Sequence, residues 1–311
     1  MKQNIAIGAD IGGSHISCAA VDLSTGKVLK DTLAEREVNN QAQAFQIISV
    51  WAGAVMETLS RVQVESVRGI GFAMPGPFDY VKGISYIKGV AKYENLYGFN
   101  IGDAIFSSLE VPDSFKIRFI NDVSAFAVGE ATSGKGAGYD RVTCITLGTG
   151  LGSAFIRSKI PVVDGPEVPR IGCVYHIPYR EGIADDYFST RWFVRNYHEA
   201  TGKELKGVKE LSGLAGKDKV VDGLFASFGK DLAIFLAPYI KNFKTRVLVI
   251  GGNISHAYGH FGKIFENQLQ RENCTCKVTL SELKEDAALL GSAYLFDDYF
   301  WGAVQHALPL M

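Results

Sequence analysis

Two glycine-rich segments constrain this chain more than any other feature: Gly8-Ala9-Asp10-Ile11-Gly12-Gly13-Ser14 and Gly148-Thr149-Gly150-Leu151-Gly152. Each follows a short apolar run, Ile5-Ala6-Ile7 in the first case and Val142 to Leu147 in the second. Each leads into another strand-like run, Ile16 to Val21 and Ala154-Phe155-Ile156. A glycine turn between two strands differs from the glycine turn that opens a helix in a dinucleotide-binding or P-loop unit. Two such hairpins predict two related half-domains, each offering backbone N–H groups to one polyphosphate.

At 311 residues the chain has room for one large or two ordinary domains. Apolar residues make up 47% and charged residues 21%, the balance of a globular protein with buried cores. A formal net charge of −1 gives no footing for nucleic acid or a membrane surface. Five scattered cysteines, an odd number, argue against a disulfide framework and for a reducing compartment. The opening apolar run is too short for a signal peptide, and no stretch approaches the roughly 18 apolar residues of a membrane span. The expectation is a soluble cytoplasmic protein with no nucleic-acid or membrane partner.

Residues 5–33 read as a three-stranded meander with its second turn at Ser24-Thr25-Gly26-Lys27. Phe45, Ile48, Ala52, Val55, Met56 and Leu59 form a helical stripe across 41–60. Val67 to Ala73 reads as a buried strand stopped by Met74-Pro75-Gly76-Pro77. Residues 78–100 look irregular and long for a connection, as functional loops often are. Lys116 to Ile120 predicts a strand that hands over at Asn121-Asp122 to a helix over Val123 to Ala131. After a second irregular stretch at 157–190, helices are expected over 189–200, 217–240 and 259–271, strands over Arg246 to Ile250 and Thr275 to Leu280, and a closing helix over Asp286 to Phe300. The alternation indicates α/β layering.

Asp10-Ile11-Gly12-Gly13-Ser14 could hold phosphate, with glycines admitting the oxygens to the backbone, Ser14 adding a hydroxyl and Asp10 holding Mg²⁺ directly or through water. The same residues would also make a tight hairpin whose aspartate accepts turn N–H bonds. Asn121-Asp122 is equally a helix cap, or a carboxylate at a strand end able to take the proton of an attacking hydroxyl. Gly251-Gly252-Asn253 could seat an adenosine against bare backbone, or be a turn that needs positive φ. Cys173 and His176 lack two further ligands, so no zinc site is expected.

Taken with Met74-Pro75-Gly76-Pro77, Ile250-Gly251-Gly252-Asn253-Ile254-Ser255 and Ala288-Leu289-Leu290-Gly291-Ser292-Ala293, these motifs resemble, in order and spacing, the ROK family of sugar kinases within the actin-like ATPase superfamily. The resemblance implies an α/β fold of two ribonuclease-H-like domains flanking a nucleotide and sugar cleft. Residues 1–120 would form the first domain, completed by a closing helix at about 286–311, and 121–285 the second. It implies ATP and Mg²⁺ as cofactors, with Asp10, Gly12, Gly13, Ser14, Gly148, Thr149 and Gly150 on the phosphates and Gly251, Gly252 and Asn253 on the adenosine side. Asn121 would bind a hydroxyl of a small sugar, a hexose or N-acetylhexosamine phosphorylated at its 6-OH, and Asp122 would be the catalytic base. Asn95 falls at a sugar-side loop, and a homodimer is implied.

The chain departs from the family pattern at its centre, where a glutamate and histidine normally precede a cysteine-rich zinc loop and a second glutamate. In one register His176 takes the family's histidine, Cys173 replaces the first glutamate and Asp185 replaces the second. In another, Arg170 replaces the glutamate and the histidine is lost. The first is favoured by His176-Ile177-Pro178-Tyr179, which is similar to zinc-less members. Either way one sugar-binding carboxylate is gone, which alters discrimination between sugars. A catalytically weak sugar-binding protein on the same scaffold is the alternative.

Overall fold

The computed structural model describes residues 4–89 and 92–311. The chain divides into two compact units, Met1–Gly138 with Lys159–Pro161 and Glu285–Met311, and Tyr139–Ser158 with Val162–Lys284. The first begins with strands β1 (Ile5–Ile11), β2 (His15–Asp22), β3 (Lys27–Val28) and β4 (Ala34–Glu37), then helix α1 (Ala44–Leu59). There follow β5 (Val67–Met74), β6 (Phe78–Asp79), β7 (Ile84–Ser85), α2 (Ile101–Ser107), β8 (Ile117–Asn121) and α3 (Asp122–Ser133). The second unit holds β9 (Arg141–Leu147) and β10 (Leu151–Arg157); β11 (Ile160–Pro161) is counted with the first. It continues through β12 (Pro178–Tyr179), β13 (Gly182–Ile183), α4 (Ala184–Tyr187), α5 (Thr190–Thr201), α6 (Val208–Leu214), α7 (Lys219–Phe243), β14 (Val247–Gly251), α8 (Tyr258–Arg271) and β15 (Lys277–Leu280). Helices α9 (Asp286–Ala293) and α10 (Asp298–Val304) return to the first unit.

The two units repeat one topology. In the first, β2 lies antiparallel to β1, and β5 and β8 continue the sheet in parallel, in the order β2-β1-β5-β8. In the second, β10 lies antiparallel to β9, and β14 and β15 continue in parallel, in the order β10-β9-β14-β15. Each glycine segment is therefore the hairpin joining the first two strands of its sheet, with Ile11 paired to Ile16 in one and Leu147 to Leu151 in the other. The inner parallel strands are largely buried (all five residues of β14 and all of β5 but Arg68), as expected for strands covered on both faces. Helix α1 buries Ile47, Ile48, Trp51, Ala52, Val55 and Leu59, the four-residue spacing of a helix lying on a sheet.

Helix α9 is buried on every side from Ala287 to Ala293, which requires small residues around it. Glycine supplies them. A Cβ on Gly8 of β1 would strike the Leu289 carbonyl, one on Gly71 of β5 the Ser292 carbonyl, and one on Gly129 of α3 the Ala287 carbonyl. Gly291 faces the Ala125 carbonyl of α3 in the same way. Backbone thus rests on backbone, and no larger residue fits at these four points.

Several expectations need correction. The third meander strand shrinks to Lys27–Val28, and the edge of β2 is completed by β4, which pairs His15 with Glu37. The closing helix is two: a 3-10 turn at Tyr294–Phe296 ends α9, and Asp297 caps α10 by accepting from the Phe300 N–H. The division between units lies after Gly138 rather than at residue 120, because α3 packs along α9. Helix α6 carries too few apolar positions, Val208 and Leu211 alone being buried, to announce itself by periodicity.

Candidate active site

In the first unit the hairpin after β1 is closed by the Gly12 N–H, which donates to the His15 carbonyl at 3.0 Å. A Cβ at residue 12 would sit 2.6 Å from the His15 ring and force that ring to shift. Gly13 and Ser14 are exposed at the tip. Their carbonyls are anchored: the Tyr93 hydroxyl donates to Gly12 O at 2.7 Å, the Asn40 side-chain amide donates to Gly13 O, and the Val38 N–H donates to Ser14 O at 2.8 Å.

Asp10 and Asp122 both stand at carboxyl ends of parallel strands, β1 and β8, the edge where α/β sheets bind ligands. Asp10 is half-buried, and burial, with repulsion from Asp122 and from Glu285, pushes its carboxyl up to about 7. Burial likewise pushes the Asp122 carboxyl above the usual range, outweighing the Val123 N–H bond, the positive charge of Lys92 and the Asn121 bond that favour its ionised form. Two close carboxylates that resist joint ionisation suit a divalent cation. Among the described residues no three His, Cys, Asp or Glu side chains converge as a ligand set. A cation at Asp10 would therefore complete its shell with phosphate oxygens and water.

Asn121 caps α3 and also bonds Asp122. Its Oδ1 accepts from the Ser124 N–H at 3.0 Å as the cap of α3, while its Nδ2 donates to Asp122 Oδ1 at 2.9 Å and to the Tyr80 hydroxyl at 3.3 Å. The Val123 N–H also donates to Asp122 Oδ1, at 2.9 Å, so the carboxylate plane is fixed by two donors. Asn95 is exposed in the 3-10 turn Glu94–Leu96, and its amide donates to the Gln41 and Ala42 carbonyls, both at 3.0 Å.

In the second unit the Gly148 N–H donates to the Gly150 carbonyl at 3.0 Å and closes the hairpin after β9. Gly148 O accepts from both the N–H and the hydroxyl of Thr190, at 2.8 and 2.9 Å. Asp185, expected on the sugar side, is engaged at this hairpin. Its Oδ1 accepts from the Leu151 N–H at 2.6 Å, and its Oδ2 pairs with Arg191 at 2.6 Å. A Cβ at residue 150 would lie 2.6 Å from Asp185 Oδ1, so the glycine there makes room for the carboxylate. Asp185 holds the hairpin.

Cys173 Sγ lies 3.7 Å from His176 Nδ1. Burial pushes the Cys173 thiol up to about 12, and burial together with the Arg170 charge holds His176 below its usual value, so the pair is neutral at physiological pH. Gly252 adopts φ +80°, with a hypothetical Cβ 2.5 Å from the Leu147 carbonyl. The positive-φ reading is therefore right, and it presses the Gly251-Gly252-Asn253 turn against the strand that leads into the second hairpin. Gly252 and Asn253 are exposed, and Gly251 is buried at the end of β14.

Sequence reasoning missed Tyr93, Asn40, Thr190 and Arg191, the groups that anchor the two hairpins. Tyr93 left one trace, its place in the long aromatic-rich stretch 78–100.

The ROK family model matches residues 6–299. The glucokinase of Thermotoga maritima is 26% identical, the alignment covering 95% of this chain and 98% of that one. The N-acetyl-D-glucosamine kinase of Haemophilus influenzae is 22% identical, over 93% and 98% of the two chains. Among solved structures, the ROK family glucokinase of Streptomyces griseus in complex with glucose and AMPPNP superposes with a TM-score of 0.74 at 23% identity, over 94% of this chain and 98% of that one. That likeness shows a shared α/β fold. No helix among the described residues is long and apolar enough to cross a membrane.

Proposed function

The chain belongs to the ROK family, and from that premise we propose that it is an ATP-dependent sugar kinase with Asp122 as its general base. The acceptor is a hexose or N-acetylhexosamine, attacked through its primary 6-hydroxyl. Asp122 takes the hydroxyl proton as the oxygen bonds to the γ-phosphorus and the bond to the β-phosphate oxygen breaks, leaving ADP and the sugar phosphate. The observation that carries this reading is the setting of Asp122: a strand-end carboxylate, oriented by Asn121 and Val123 and made more basic by burial. Asp10 would hold Mg²⁺, which supplies charge neutralisation at the phosphates. The Gly12-Gly13-Ser14 and Gly148-Thr149-Gly150 segments offer backbone N–H groups to phosphate oxygens, and Gly251, Gly252 and Asn253 lie to the adenosine side.

One observation favours the second reading, a sugar binder with little turnover: both Asp185 oxygens are engaged within the protein, as is the Asn95 amide. ADP release from Mg·ATP across hexoses, N-acetylhexosamines and acidic sugars separates the two. Sugar-dependent release that Asp122→Asn abolishes, with ATP binding retained, is the expected result. Full turnover in Asp122→Asn would refute the base assignment, and sugar binding without ADP release would favour the second reading.

A further inference from the structure

A trans peptide is planar, so a group that fixes a carbonyl also fixes the direction of the next residue's N–H, which points the opposite way. In the first hairpin the Tyr93 hydroxyl holds the Gly12 carbonyl, and so sets the Gly13 N–H; Asn40 holds the Gly13 carbonyl, and so sets the Ser14 N–H. Gly13 and Ser14 are exposed, and nothing lies within 4 Å of where a Gly13 Cβ would stand. The two N–H groups therefore turn away from the anchored side toward open space.

Tyr93 is well placed to impose this. Its side chain is fully buried, its ring stands edge-on to the equally buried Trp51 of α1 at 5.4 Å, and its backbone takes φ +57°, unusual for a non-glycine residue. Its own N–H donates to the Asn40 carbonyl at 2.9 Å, so both anchors of the hairpin belong to one hydrogen-bonded assembly. Asn95, two residues on, extends that assembly to Gln41 and Ala42. Burial and the Asp10 charge also keep the phenol protonated, hence a donor.

We propose that Tyr93 is a positioning residue for nucleotide binding: by holding the Gly12 carbonyl, 81 residues away, it aims the Gly13 N–H at a polyphosphate oxygen. The inference rests on the phosphate reading of the first hairpin and adds to it the group that preorganises it.

The test is calorimetric binding of ATP and of adenosine to the wild type, Tyr93→Phe and Asn40→Ala, with melting temperatures in parallel. Tyr93→Phe keeps the ring against Trp51 and removes only the hydroxyl. ATP should bind about fivefold to tenfold more weakly to it, with adenosine affinity and melting temperature unchanged. Asn40→Ala should show the same selective loss. Unaltered ATP affinity in Tyr93→Phe overturns the proposal, as does a fall in both affinities in step with melting temperature, which would make the residue structural only. If the wild type binds ATP no more tightly than adenosine, the phosphate reading fails and this inference with it. A wild type that prefers ATP, beside a Tyr93→Phe that prefers it to the same degree, sinks this inference alone.

Discussion

Replacing Asp10 with Asn should stabilise the ligand-free protein in alkaline solution while destroying its activity. Asp10 carries a carboxyl that burial, Asp122 and Glu285 lift from 3.8 to about 7. The folded chain thus retains a proton that the unfolded chain releases. The contribution to stability is full below about pH 4 and is lost as the pH rises through about 7. Three powers of ten in proton affinity correspond to about 4 kcal/mol, and roughly half of that survives if solvent screens the half-buried carboxylate. Asn at this position has the same shape and no charge. Urea unfolding between about pH 4 and about pH 8 should therefore show the wild type losing roughly 2–4 kcal/mol more than Asp10→Asn. Titrations of groups remote from residue 10 cancel in that difference. Parallel stability profiles would refute the argument, since the lifted carboxyl would then have no energetic consequence. The same variant should release no ADP if Asp10 holds the cation, the familiar conflict between a functional charge and stability.

Two further substitutions probe other features. Gly129→Ala and Gly291→Ala each place a methyl group on a carbonyl of the facing helix, and each should cost more than about 3 kcal/mol in urea unfolding; a loss below about 1 kcal/mol would show that α3 and α9 can separate freely. Asp185→Asn should weaken ATP binding about threefold to tenfold and leave the sugar KM unchanged, because it loosens the Leu151 N–H bond and the Arg191 pair. A rise in sugar KM alone would return Asp185 to the sugar side.

The sequence disclosed what is local. Both hairpins fall where the glycine segments lie, and the alternation of apolar runs located nearly every strand of both sheets. The cap at Asn121 was legible because Asn before a helix is the usual capping residue type, and the same side chain also bonds Asp122. The anchors were hidden because they act across the fold. Tyr93 reaches Gly12 over 81 positions and Asp185 reaches Leu151 over 34, separations at which no periodicity connects the partners. The bonds of Asp185 were hidden for a related reason: an acidic residue near a sugar-side motif says nothing about which N–H its oxygens will find. The split of the closing helix came from Asp297, whose capping role is indistinguishable in sequence from a solvated carboxylate.

The seating of α9 has a consequence for biosynthesis. Gly8, Gly71, Gly129 and Ala125 leave the ribosome well before the helix that fills the space between them, with nearly all of Tyr139–Lys284 translated in the interval. Until α9 arrives, β1, β5 and α3 present a bare channel of glycine and alanine backbone, while the intervening segment can already pair its own four strands. The first sheet to be synthesised is then the last to be finished, and its nascent form is the state that a chaperone would have to shelter.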